Sequence, residues 1–263
     1  MKIANSSLLT DSLDKPLQLD QITFTRFIAA LTVVFFHYGN QVSPLNIGLI
    51  EPVLKAGPIA VNYFYLLSGF IMAFAYFRPE QRNKFSAKKY WLARFARIYP
   101  VYLLAFLLIA VSKLSEPNII PAIILNASLL QAWIPEYALS LNSPGWSLSV
   151  EAFFYLCFPL LLIIIYRNGL KKLTFFAIIF WLATQVLHTQ LLNSPQYAAH
   201  NAVHQFIYYN PLMHLNAFIL GVIAGVMFKQ QHSIIKALKP YSAIGLVITS
   251  ALIILLITFQ QEL

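Results

Sequence analysis

The sequence predicts an all-α integral membrane protein: a multi-spanning helical bundle with about seven crossings and one re-entrant helix. Three observations carry that prediction. Of 263 residues, 59% are hydrophobic and only 10% charged, with a mean hydropathy of +0.68, whereas a soluble domain has roughly 25% charged residues. The apolar residues, including 21 Phe, 14 Tyr and 4 Trp, exceed what one core of this length can bury, so the surplus must face lipid. The cations are also clustered: seven of the 18 Lys and Arg fall between Arg78 and Arg97. In a membrane protein that pattern marks a cytoplasmic loop, so the net charge of +9 does not indicate a nucleic-acid partner. The single cysteine, Cys157, excludes an intrachain disulfide.

The elements follow in order. Residues 1–21 are polar, contain no apolar run, and are expected to be a cytoplasmic N-terminal segment without a cleaved leader. Residues 22–263 form one transmembrane domain. Its hydrophobic segments are Ile22–Gly39, Gly57–Phe77, Tyr90–Ser112, Ile119–Trp133, Pro144–Tyr166, Lys172–Leu192, Tyr209–Phe228 and Tyr241–Phe259. Most are long enough to cross a hydrocarbon core of about 30 Å. Ile119–Trp133 is short and contains Pro121 and Asn126.

Charge placement decides how the short segment is used. If the N-terminus is inside and Ile119–Trp133 enters and leaves on the outer side, the inner loops hold 15 Lys and Arg and the outer loops only Lys55 and Lys113. If the segment crosses, the division becomes nine inside and eight outside. The positive-inside bias selects the first arrangement. In it, Asn193–Tyr208 is an outer loop without Lys or Arg.

Ionisable residues within spans are costly and therefore become functional candidates. Arg26 and His37 are 11 residues apart in the first span, which places them on one helical face about 16 Å apart. Arg26, near the inner end, suits a phosphate or carboxylate. His37, near the outer end, carries an imidazole, the usual proton acceptor in catalysis at neutral pH. A snorkelling arginine and a headgroup-level histidine would explain the same two residues. Arg94 and Arg97 are i, i+3 neighbours at the start of the third span and could present a guanidinium pair to phosphate oxygens or serve as an inner-face anchor.

Glu151 is the only acidic residue within a predicted span, with Ser147 and Tyr155 one turn to either side. Its carboxylate must be protonated, paired with Arg or His, or set in a wet cavity. One arrangement has it orient the His37 imidazole, as in hydroxyl-activating triads. Ser68 and Gly69 in the second span, and Gly221 and Gly225 in the span Tyr209–Phe228, are small residues at helix-packing spacing. His188, His200, His204 and His214 are too dispersed for a metal-site spacing, so no metal is expected.

Together these segments resemble the bacterial membrane acyltransferase family 3, the O-acyltransferases of polysaccharides and other envelope glycans. The resemblance rests on Arg26-x10-His37, Phe64-Tyr-Leu-Leu-Ser-Gly-Phe70, Arg94-Phe-Ala-Arg97-Ile-Tyr-Pro100 and Trp146-Ser-Leu-Ser-Val-Glu151, in the family's order. Asn210-Pro-Leu-Met-His-Leu-Asn-Ala-Phe-Ile-Leu-Gly221 is a weaker match. The resemblance implies an enzyme of the bacterial inner membrane, multi-pass with its N-terminus cytoplasmic. It would move an acyl group, usually acetyl, from acyl-CoA (acetyl-CoA) on the cytoplasmic side to a hydroxyl of a glycan or glycolipid acceptor on the outer face. Carried over by position, Arg26, Arg94 and Arg97 bind the donor, His37 and Glu151 are catalytic, and Trp146, Ser147, Tyr155 and Ser68 support the site. The partners implied are the donor, the acceptor and membrane lipids, with no nucleic acid. The family's late Ser-Tyr-x-x-Tyr-Leu-x-His type stretch is missing, so the chain reads as C-terminally truncated. A transporter or glycan flippase using Arg26, His37 and Glu151 as an intramembrane relay is the competing reading, and the lack of internal repeats and paired broken helices speaks against it.

Overall fold

The computed structural model describes residues 20–39, 55–117 and 119–230. Every regular element among them is helical: α1 (Asp20–Tyr38), α2 (Gly57–Tyr76), α3 (Ala87–Ser112), α4 (Ile119–Ala127), α5 (Trp146–Asn168), α6 (Leu170–Leu192), α7 (Ala202–Tyr209) and α8 (Pro211–Lys229), with short 3-10 turns between them. Five stretches are long and apolar enough to cross a membrane: Gly57–Tyr76, Ala87–Ser112, Ser143–Asn168, Leu170–Leu192 and Ala202–Lys229. Ile22–Tyr38 is a shorter apolar helix. The expected all-α membrane bundle is therefore observed, while the expected last span, Tyr241–Phe259, lies outside the described residues.

The chain divides into two compact units, residues 1–60 with 257–263, and residues 61–256. In the first, α1 is unbroken from Asp20 to Tyr38, so Arg26 and His37 do share one helix. Phe36 lies against Gly57, where a Cβ would collide with its side chain.

The second unit is organised around α5. Its Val150, Phe154, Phe158, Leu162 and Ile165 form the centre of a core completed by Tyr65 and Met72 of α2, Tyr90 of α3, Leu173 of α6 and Phe218 and Val222 of α8. Every α5 residue named here is at most 6% exposed, whereas Leu104, Leu108, Leu160, Phe175 and Ile178 remain open on the outward faces, as expected of surfaces solvated by lipid. Helices α2 and α8 meet backbone to backbone. A Cβ on Gly69 would strike the Phe218 carbonyl oxygen, one on Gly221 the Leu66 carbonyl oxygen, and one on Gly225 the Phe70 carbonyl oxygen. The small-residue spacing of both helices is a packing seam. Gly169, at φ 81°, makes the turn from α5 into α6, a backbone conformation that side chains disfavour.

The short fourth segment does not form a spanning helix. Its nine residues rise only about 14 Å. The chain then runs irregularly through residues 128–145, with Leu129 and Leu141 at φ 57° and 56°. Side chains from the bundle satisfy this irregular backbone: Tyr99 and Tyr102 donate to the carbonyl oxygens of Ala127 and Asn126 at 2.9 and 2.8 Å, Gln131 Nε2 to that of Gly145 at 3.0 Å, and Ser149 Oγ to that of Leu129 at 2.6 Å. Non-helical backbone survives at membrane depth only where protein or water satisfies it in this way.

The stretch read as the outer loop Asn193–Tyr208 contains helix α7. Asn201 starts it, accepting the His204 N–H at 2.9 Å. Asn210 then breaks the helix before Pro211 and caps α8 by accepting the Leu212 N–H at 3.0 Å. Asparagine capping, rather than hydropathy, sets these boundaries.

Candidate active site

The polar centre of the second unit is Glu151, on α5 in the turn after Trp146–Val150. Its Oε1 accepts hydrogen bonds from Tyr155 Oη on the same helix at 2.5 Å and from Ser68 Oγ on α2 at 3.3 Å. Among the described residues no cation lies within ion-pair distance of it. In place of an ion pair the carboxylate has two hydroxyl donors on Oε1, and Oε2 has no hydrogen-bond partner among the described residues. The residue is half-buried.

Each hydroxyl is fixed in place. Tyr155 is buried and stands one turn below Glu151. Its backbone carbonyl accepts from Trp91 Nε1 of α3 at 3.0 Å. Ser68 precedes Gly69, whose lack of a side chain lets α2 and α8 close on each other. Ser147, expected to flank the carboxylate, instead turns its hydroxyl back to the Pro144 carbonyl oxygen at 2.9 Å. Its own carbonyl oxygen accepts from Tyr65 Oη at 3.5 Å, so its role is at the start of α5.

Above Glu151 in the helix, Trp146 is packed among aromatic groups. Its indole lies 5.0 Å from the Tyr209 ring, 5.4 Å from the His214 imidazole and 6.4 Å from the Tyr65 ring, centre to centre. His214 is held at both ring nitrogens: Nε2 donates to the Tyr208 carbonyl oxygen at 2.9 Å, and Nδ1 lies 3.0 Å from the Asn62 side-chain oxygen. His214, Tyr65, Asn62 and Trp91 do not stand out as site residues in the sequence. For His214 a signal exists, since it lies in the weakly matching stretch Asn210–Gly221.

On the other side of Glu151, Arg94 Nη2 of α3 donates to Tyr76 Oη of α2 at 3.2 Å, and its guanidinium carbon lies 5.6 Å from that ring's centre. Its Nε is buried and unpartnered among the described residues. Arg97 is exposed. Arg94 is built into the α2–α3 contact, and Arg97 makes no hydrogen bond or ion pair among the described residues.

Arg26 and His37 belong to the first unit. Arg26 is half-buried and His37 exposed, with the His37 ring 5.2 Å from Phe36 and 6.2 Å from Tyr38. Among the described residues no group of three or more His, Cys, Asp or Glu side chains could hold a metal ion.

Comparison with known proteins gives concordant matches. The family model described as an acyltransferase domain, that of acyltransferase family 3, matches residues 19–262. The chain is 36% identical over 155 residues to Acyltransferase MdmB of Streptomyces mycarofaciens, covering 54% of this chain and 39% of that protein. It is 27% identical over 182 residues to an uncharacterized protein of Haemophilus influenzae, covering 63% of this chain and 74% of that one. A Staphylococcus aureus protein whose name provisionally gives it as an O-acetyltransferase is 22% identical over 256 residues, 90% of this chain and 40% of the relative. The chain thus spans about two fifths of the Streptomyces and Staphylococcus relatives. No solved structure matches.

Proposed function

Because the chain belongs to acyltransferase family 3, we propose that it transfers an acyl group, most simply acetyl, from cytoplasmic acyl-CoA to a hydroxyl of an envelope glycan or glycolipid on the outer face of a bacterial inner membrane. The observation that carries this reading is the Glu151 centre: a half-buried carboxylate held by Ser68 and Tyr155, with an oxygen still open and Arg94 on the neighbouring helix. The buried, unpartnered Nε of Arg94 supports an anionic ligand on that side.

In this reading Arg26, Arg94 and Arg97 bind the donor, whose thioester supplies the activated acyl group. His37 takes the proton of the acceptor hydroxyl as that oxygen bonds to the acyl carbon. The carbon–sulfur bond breaks, and the departing thiolate takes up a proton. Glu151 offers Oε2 to a hydrogen-bond donor of the reacting centre, while Ser68 and Tyr155 hold the carboxylate in one orientation. Trp146 and its aromatic neighbours close the site around that carboxylate, and a site sheltered from water limits hydrolysis of the thioester.

Binding of labelled acetyl-CoA to inside-out vesicles carrying this chain tests the reading whatever the acceptor is. Saturable binding that is lost in the Arg94→Ala/Arg97→Ala variant is expected. Vesicles that accumulate or flip a glycan but never bind acetyl-CoA would favour the relay reading instead.

A further inference from the structure

A second polar feature lies where α2 ends and α3 begins. A cleft of about 360 Å³ opens there, lined by Arg78, Lys84 and Lys89 over a wall that includes Tyr76, Phe85 and Tyr90. Its volume falls in the usual range for small-molecule sites. The three cations come from three places in the chain: Arg78 just after α2, Lys84 at the end of the 3-10 turn Pro79–Lys84, and Lys89 in the first turn of α3. No acidic side chain lines the cleft, and among the described residues none of the three cations has an ion-pair partner. Like charges converging on one concavity raise its positive potential, and an anion relieves their repulsion.

The cleft is held open by fixed parts. The Arg78 N–H donates to Tyr166 Oη of α5 at 2.9 Å, and Phe77 stacks on the same ring at 5.4 Å, centre to centre. The turn is thereby tied to the central helix. Tyr76, Phe85 and Tyr90 brace one another with ring centres 5.1–6.0 Å apart. Tyr76, which lines the cleft, also accepts from Arg94 through its hydroxyl, so one side chain joins this basic cleft to Arg94 on α3.

We infer that this cleft binds the phosphate groups of the donor's nucleotide end, through Arg78, Lys84 and Lys89, leaving Arg94 to line the path from there towards Glu151. The inference rests on the acyl-CoA reading and changes which residues hold the phosphates. A nucleotide carrying several phosphates matches three convergent cations, and the aromatic wall offers a surface to its base. An anionic lipid headgroup presents the same phosphate chemistry, so the test separates the two sources.

The 263-residue chain in nanodiscs of phosphatidylcholine alone is titrated with adenosine 3′,5′-bisphosphate, which carries the base, the ribose and two of the three phosphates of the donor's nucleotide end, and the titration is repeated in discs containing phosphatidylglycerol. Saturable binding in both discs, weakened at least tenfold by Lys84→Gln/Lys89→Gln, is expected. Because both lysines are exposed, the double variant should retain its helix content and elution volume. Arg78→Gln is a second, separate variant that should weaken binding in the same direction. Three results overturn the inference: no binding in phosphatidylcholine, equal affinity in the variants, or binding abolished by phosphatidylglycerol, which would mark a headgroup site. If acetyl-CoA still donates acyl groups but the variants bind the bisphosphate normally, the inference alone fails. If the cleft binds the bisphosphate and no acyl-CoA is ever consumed, the acyltransferase reading fails while the cleft assignment stands.

Discussion

The Ser68 hydroxyl on α2 donates to Glu151 on α5 at 3.3 Å, a hydrogen bond across 83 residues of sequence. It joins the helix that forms the glycine seam with α8 to the helix at the centre of the core. Together with Tyr155 it makes a carboxylate with one solvated and one open oxygen.

Glu151→Gln keeps the shape of the side chain and its ability to accept from Ser68 and Tyr155, but removes the charge. Transfer should fall at least about 100-fold, the lower range for loss of one preorganised electrostatic contact at a reacting centre, with thermal stability little changed. Tyr155→Phe and Ser68→Ala should each cost less, about tenfold, because either hydroxyl alone still orients the carboxylate. Transfer rates and melting temperatures of the purified variants check both statements.

The seam between α2 and α8 tolerates no side chain at three positions. Gly221→Val should therefore destabilise the protein by at least about 1–3 kcal/mol, the range for overpacking, and Gly225→Val should do the same. Gly169→Ala meets no neighbouring atom, but at φ 81° and ψ 164° it takes up a conformation essentially reserved for glycine, so backbone strain alone should cost about 1–3 kcal/mol. Denaturation in detergent, compared across the three variants, gives the order.

Arg94→Lys should not restore what Arg94→Ala removes. A lysine can reach one acceptor as a point charge but cannot both bond Tyr76 and offer a second planar edge. Donor affinity should fall at least tenfold in each variant, measured by displacement of labelled acetyl-CoA.

The re-entrant reading of α4 predicts that both ends of residues 113–145 lie on the same side of the membrane. With Cys157 replaced by serine, single cysteines at Ser115 and Ser143 should both react with an impermeant maleimide from outside, and one at Arg82 only from inside. Labelling of Ser115 and Ser143 from opposite sides would mean that the segment crosses.

Much of this architecture is legible in the sequence. Long apolar runs separated by clustered cations specify membrane helices because lipid penalises every unpaired backbone group and every charge. Glu151 stands out for the same reason, as do the small residues Gly69, Gly221 and Gly225. What is not legible depends on tertiary partners. Helix α7 hides in a polar stretch because asparagine caps, not hydropathy, define it. The i, i+3 spacing of Arg94 and Arg97 does not show that Arg94 bonds Tyr76 of another helix. Nor can spacing show that Ser68 reaches Glu151, or that three basic residues of the loop Arg78–Lys89 converge on one cleft. The expected last span and residues 1–19 of the polar N-terminal segment lie outside the described residues, while Asp20 and Gln21 begin α1.

The most direct test of the central claim is to measure acetyl transfer and acetyl-CoA binding side by side in vesicles carrying His37→Ala or Arg97→Ala, with an envelope glycan fraction as acceptor. His37→Ala should abolish transfer while donor binding stays intact, and Arg97→Ala should weaken donor binding. The opposite pattern, binding lost with His37 and transfer lost without any change in binding with Arg97, would contradict that claim.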